Sequence, residues 1–173
     1  MFLKTLLQPK EGQDIKPGDQ FPLKKEHIVE LANECANVFA QQPIVFKEIR
    51  PPTKIFGDIH GQYVDLMRFF DIWKPPTEDI HAYDYVFLGN YIDKGQYSLE
   101  VICLLFALKL KYPNQIILLR GNHEDRNVNK FLGFGQECAN RLSEDIEDPN
   151  SVFAKINEAF DMMPLAALIT DKQ

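Results

Sequence analysis

Cysteine is scarce in this 173-residue chain: three residues, Cys35, Cys103 and Cys138, lie far apart. That excludes a disulfide-built scaffold and fits buried, reduced thiols in a cytoplasmic protein. Basic excess is also missing, because 19 Lys and Arg face 25 Asp and Glu for a net charge of −6. Nonspecific nucleic-acid binding and a polybasic membrane patch are thereby disfavoured. No apolar run reaches the roughly 18 residues that a membrane span needs. The opening MFLKTLLQPKEGQD has an apolar patch too short and too soon interrupted for a secretory signal. Low-complexity tracts and sequence repeats are absent as well. What is present is an ordinary globular composition, 45% hydrophobic and 25% charged, on a chain long enough for one real core.

Residues 1 to 24 carry Pro9, Gly12, Pro17, Gly18 and Pro22 and read as an extended lead-in; the folded domain is expected from 25 to 173. Between Glu26 and Gln41 the residues Ile28, Leu31, Ala32, Cys35, Val38 and Phe39 form one helical stripe, which Pro43 ends. Strands are expected at 44–49, 54–56, 85–88, 116–119 and 165–169, and a helix over 63–70. Ser98 is placed to cap a long helix whose buried stripe includes Leu99, Ile102, Cys103, Leu105 and Phe106. Strands alternating with helices make this α/β with a largely parallel sheet.

Three of the strands run into polar tips. Asp58, Asn90 and Asn122 follow one another at intervals of 32 residues, close to the length of a βαβ unit. Ligands bind at the carboxyl ends of such strands. In Gly57-Asp58-Ile59-His60-Gly61, a carboxylate and an imidazole two residues apart share one side of extended backbone and suit a divalent metal. Gly89-Asn90-Tyr91-Ile92-Asp93-Lys94-Gly95 offers an amide, a carboxylate and a cation. Arg120-Gly121-Asn122-His123-Glu124 offers a neutral oxygen ligand and, in His123, a general acid or base.

GDIHG, GNYIDKG and RGNHE, in this order and at this spacing, resemble the three motifs of the PPP family of serine/threonine protein phosphatases, which usually read GDxHG, GDxVDRG and GNHE. The resemblance covers the chain from about residue 27 onward. GQYSLEVICLLFALKLKYP and FGQECANRLSE are most similar to family members that carry kelch-like repeats, although this chain has none. The resemblance implies a metallophosphoesterase-type sheet sandwich flanked by helices, here its N-terminal half. It also implies two divalent ions of the Mn, Fe or Zn type that activate water for attack on a phosphoserine or phosphothreonine. Carried over, Asp58 and His60 match ligands of the first metal and Asn90 the bridging position. Asn122 matches a ligand of the second metal beside the phosphate. His123 matches the general acid, Asp93 its orienting carboxylate, and Lys94 a phosphate-gripping position. The implied partners are a phosphoprotein substrate or the other members of a protein assembly.

Two of these residues depart from the family pattern. Asn90 stands where the resemblance places a bridging aspartate, and an amide brings one good oxygen and no charge between two cations about 4 Å apart. Lys94 stands where it places an arginine, and an ammonium lacks the planar two-pronged grip on phosphate. Further histidine ligands and a second phosphate-binding arginine follow in the family beyond the point matched by Gln173. The expectation is impaired hydrolysis, or a pseudophosphatase that serves as a scaffold.

Overall fold

A computed structural model describes residues 2–7 and 21–170. The elements in chain order are α1 (Phe2–Leu7), α2 (Lys25–Ala40), β1 (Val45–Ile49), β2 (Thr53–Phe56), α3 (Tyr63–Trp73), α4 (Pro76–Asp79) and β3 (Asp84–Phe87). They continue with α5 (Ser98–Lys111), β4 (Ile116–Leu118), α6 (Arg126–Leu132), α7 (Phe134–Leu142), α8 (Val152–Asp161) and β5 (Ala166–Ile169). The expected lead-in is not wholly extended. Phe2–Leu7 is a helix with Leu6 fully buried, and Tyr63 donates its hydroxyl hydrogen to the Leu6 carbonyl. The prolines and glycines at 9 to 18 lie outside the described residues.

β2, β3 and β4 form a parallel sheet in that order, and β1 pairs in parallel with β5. Arg120 N donates to Pro164 O at 2.8 Å, which brings the chain after β4 alongside the chain leading into β5. Alternation sends Phe56, Tyr85, Phe87, Ile116 and Leu118 into the main core, while Ile49, Val86, Ile117 and Leu119 form a smaller cluster on the opposite face.

The main core surrounds α5. A single buried stripe was expected there, yet every residue from Ser98 to Lys109 is buried. A helix apolar all round belongs inside rather than on a surface, and α1, α2, α3, α7 and β4 all pack against this one. Its two buried charges are matched. Glu100 pairs with Arg141, and Lys109 Nζ donates to the carbonyls of Pro113 (2.8 Å) and Ile116 (2.7 Å). All three cysteines are free and buried.

Ser98 does not cap α5. Its hydroxyl is buried without a hydrogen-bond partner. The backbone N–H groups of Ser98 and Leu99 instead donate to the two carboxylate oxygens of Glu137, each at 3.0 Å. Glu137 sits on α7 and is itself held by Arg141 at 2.9 Å. The loop carrying the middle motif is therefore fixed at its far end by a helix that follows it by about forty residues.

Candidate functional site

The three polar tips meet beyond the carboxyl ends of β2, β3 and β4. Ile59 N and His60 N both donate to Asn90 O, at 3.0 and 2.8 Å, and Gly61 N donates to Tyr91 O at 2.8 Å, which joins the first loop to the second. The second is joined to the third by Glu124. Its carboxylate accepts from Asn90 N (2.7 Å), Tyr91 N (2.8 Å) and Gly121 N (2.9 Å). Burial pushes the Glu124 carboxyl above the usual carboxylate range, against the pull of those three donors. The sequence reading gave Glu124 no role. Its signal was a carboxylate directly after His123, at the end of a glycine-containing loop whose backbone N–H groups need acceptors. Arg120 also turns out to be structural. Its Nε donates to Glu124 O at 2.9 Å, and the guanidinium pairs with Asp161 at 2.6 Å.

His60, Asn90, Asp93 and Lys94 all have positive φ (47°, 57°, 68° and 63°). Four non-glycine residues in the left-handed region within one cluster store strain that the surrounding hydrogen bonds must hold. Gly121 is needed for the crossing of loops: a Cβ there would lie 2.4 Å from Asn90 N and 2.5 Å from Asn90 Oδ1.

His123 Nδ1 donates to Asp93 Oδ2 at 2.7 Å, and Asp93 is fully buried with its other oxygen accepting from Phe134 N at 2.8 Å. The carboxylate thus fixes the ring and its tautomer and leaves Nε2 to exchange protons with the site. His60 is oriented in a similar way, with Nδ1 donating to Ile92 O at 2.9 Å. The two imidazoles meet edge to face, centroids 4.6 Å apart.

Asn90 uses both ends of its amide. Nδ2 donates to Asp58 Oδ2 at 3.2 Å and Oδ1 accepts from His123 N at 3.2 Å. Asp58 Oδ2 also lies 3.3 Å from His60 Nε2, and Lys94 Nζ lies 3.0 Å from that same nitrogen. Of the residues singled out in the sequence, Asp58, His60, Asn90, Asp93, Lys94 and His123 are linked in one network. Asn122 is exposed at the rim, next to His123. His27 and His81 take no part in it.

A two-metal centre would draw on the donors at these three tips. Asp58 and His60 would offer a divalent ion two donors, with the His60 tautomer that a metal requires, while the Asn90 amide turns its N–H₂ end to Asp58 and its oxygen to His123 N. A second ion would have only the amides of Asn90 and Asn122. No group of three His, Cys, Asp or Glu among the described residues is placed to hold a metal. Among the described residues, Asp58 and His60 are the charged and imidazole donors that a single divalent ion would meet.

The sequence model of the calcineurin-like phosphoesterases matches residues 51–173. The serine/threonine-protein phosphatase BSL2 of Arabidopsis thaliana is 45% identical over 155 residues, which is 88% of this chain and 15% of that protein. A solved protein serine/threonine phosphatase from Saccharomyces cerevisiae, described as similar to human phosphatase PP5, matches with a TM-score of 0.74 at 30% identity. That match covers 85% of this chain and 45% of the other, so the chain spans less than half the length of either relative. The three motifs, the fold similarity and these matches lead to one conclusion: the chain belongs to the calcineurin-like phosphoesterase family, with a domain of the PPP serine/threonine phosphatase type.

Proposed function

We propose that this chain carries a serine/threonine protein phosphatase-like site in which two-metal hydrolysis of phosphoserine and phosphothreonine is impaired. In this reading His123, held by Asp93, hands the proton on Nε2 to the departing serine or threonine oxygen. Lys94 and Asn122 meet the phosphate oxygens. Asp58 and His60 would hold one divalent ion of the Mn, Fe or Zn type, which the Asn90 amide oxygen would join only by turning away from His123 N. Such an ion, when bound, supplies an acidified water and neutralises charge on the phosphoryl group. Buried thiols suit a cytoplasmic setting, and the natural substrate is a phosphoprotein.

The observation that carries the impairment is the engagement of Asn90. Its N–H₂ group donates to the Asp58 carboxylate that a metal would need, and its oxygen is already taken by His123 N. A carboxylate at this position would have no hydrogen to offer Asp58 and would add a negative charge between the ions. Asn90→Asp is therefore expected to tighten Mn²⁺ binding by at least about tenfold, read by calorimetry, and to raise turnover of an aryl phosphate. Tight binding of two Mn²⁺ ions by the unmodified chain, or turnover equal to that of the variant, would sink the reading.

A second reading, a pseudophosphatase serving as a scaffold or structural subunit, is favoured by a separate feature. An apolar cavity of about 800 Å³ runs along β2 and α3, where Ile55, Phe69, Ile72 and Trp73 are exposed. If Asn90→Asp binds metal tightly and still turns over no aryl phosphate, this second reading is the better one.

A further inference from the structure

Three groups converge on a single nitrogen, His60 Nε2. In the neutral ring, with Nδ1 donating to Ile92 O, Nε2 carries the lone pair and no hydrogen. Asp58 Oδ2 lies 3.3 Å from it. A carboxylate oxygen and an imidazole lone pair repel one another at that separation unless something positive sits nearby. Lys94 Nζ, 3.0 Å from Nε2, is the cation that meets this nitrogen, without forming an ion pair with Asp58 itself.

The backbone places it there. Asp93 and Lys94 are consecutive left-handed residues, φ 68° and 63°, pinned by the buried Asp93 carboxylate and by Gly95 N donating to Asp93 O at 2.7 Å. A Cβ on Gly95 would lie 2.2 Å from His60 O, so the loop runs against the His60 backbone and starts the Lys94 side chain close to the ring. A compact ammonium suits one lone pair, whereas a guanidinium fork suits two oxygens of a phosphate.

We propose that Lys94 is a tethered cation that occupies the metal direction of His60, so that a divalent ion binds the Asp58–His60 pair only by displacing it. The proposal rests on the reading of an impaired phosphatase site and assigns part of the impairment to a second residue. An imidazole nitrogen has a single lone pair, and a metal bound to it lies about 2.0–2.1 Å away. Ammonium and metal cannot share it.

The test uses ¹⁵N-histidine spectra and Mn²⁺ titration of the unmodified chain, Lys94→Met and Lys94→Met/His60→Gln. In the unmodified chain His60 Nε2 is expected to resonate as a hydrogen-bonded acceptor. A shift typical of a free lone pair there overturns the proposal without any variant. Lys94→Met should move the Nε2 resonance and tighten Mn²⁺ by at least about tenfold, since one opposing charge is removed at contact distance. The double variant should lose that gain. Lys94 is exposed, so Lys94→Met should melt with the unmodified chain. Unchanged or weaker Mn²⁺ binding in Lys94→Met overturns the proposal. If Asn90→Asp tightens Mn²⁺ while Lys94→Met does not, this inference fails and the impaired-phosphatase reading stands.

Discussion

Gly121 separates two loops that would otherwise collide. Its missing side chain lets Asn90 N reach the Glu124 carboxylate and lets Asn90 Oδ1 reach His123 N. In Gly121→Ala the new methyl would meet backbone at 2.4 Å, which no rotamer change relieves. We expect a loss of about 1–3 kcal/mol in urea unfolding, the range for overpacked sites. Metal affinity should fall with it, because the displaced partner is Asn90 itself. An equal unfolding midpoint in the two proteins would mean that the loops have room to part. At this scale the sequence was informative about identity and silent about contact. Asp58, His60, Asp93 and His123 were legible because glycines frame them at the ends of apolar strands. The hydrogen bonds that tie Asn90 to Asp58 and Lys94 to His60 were not, since they join residues about thirty positions apart.

Element α5 shows how a local rule gives way to a distant one. A serine opening an apolar helix is a strong capping signal. Here that hydroxyl is buried and unbonded, and Glu137 from α7 accepts from both opening N–H groups. The two accounts differ in a measurable way. Ser98→Ala should change stability by no more than about 0.5 kcal/mol, whereas loss of a real cap costs typically about 1 kcal/mol. Glu137→Ala should lose about 2–3 kcal/mol, because two charge-assisted bonds go at once and Arg141 loses its ion pair with Glu137. Urea titrations with unchanged slopes would check both values. Capping by a residue about forty positions later could not be read from the sequence. Two later helices could have been. Asp125 and Ser151 accept from Asn127 N and Ala154 N and cap α6 and α8 by the ordinary rule.

For the molecule as a whole, the fold class was legible because parallel strands write themselves as short apolar runs at regular intervals, separated by helical stretches. The burial of α5 on every side was not, because the number of neighbours around a helix is a property of topology. That burial has a consequence for pH. Lys109 is enclosed among α2, α5 and the turn before β4, and burial pushes its ammonium down to about 7, with Cys35 the other titratable group beside it. A neutral amine retains two N–H donors, enough for the Pro113 and Ile116 carbonyls. Above pH 7 the folded chain sheds this proton while the unfolded chain, near 10.5, retains it. The unfolded state then binds more protons, so stability rises with pH, by at most ~1.4 kcal/mol per unit. The buried thiols of Cys35, Cys103 and Cys138 titrate well above their ordinary 9.0 and act in the opposite sense above that value. The rise should therefore be confined to about pH 7 to 9 and should flatten in Lys109→Met, as thermal melts across that range would reveal.

Strand register and motif spacing differ by one residue, and that difference shapes the rim. Phe56, Phe87 and Leu118 stand side by side across the sheet at intervals of 31 positions, while the polar tips recur every 32. Asp58, Asn90 and Asn122 consequently lie two, three and four residues past that common line. The rim is a staircase, each step one residue taller than the last. Its height is set by these few residues, so a single deletion at the lip would bring two steps level and pull the loops out of reach of each other.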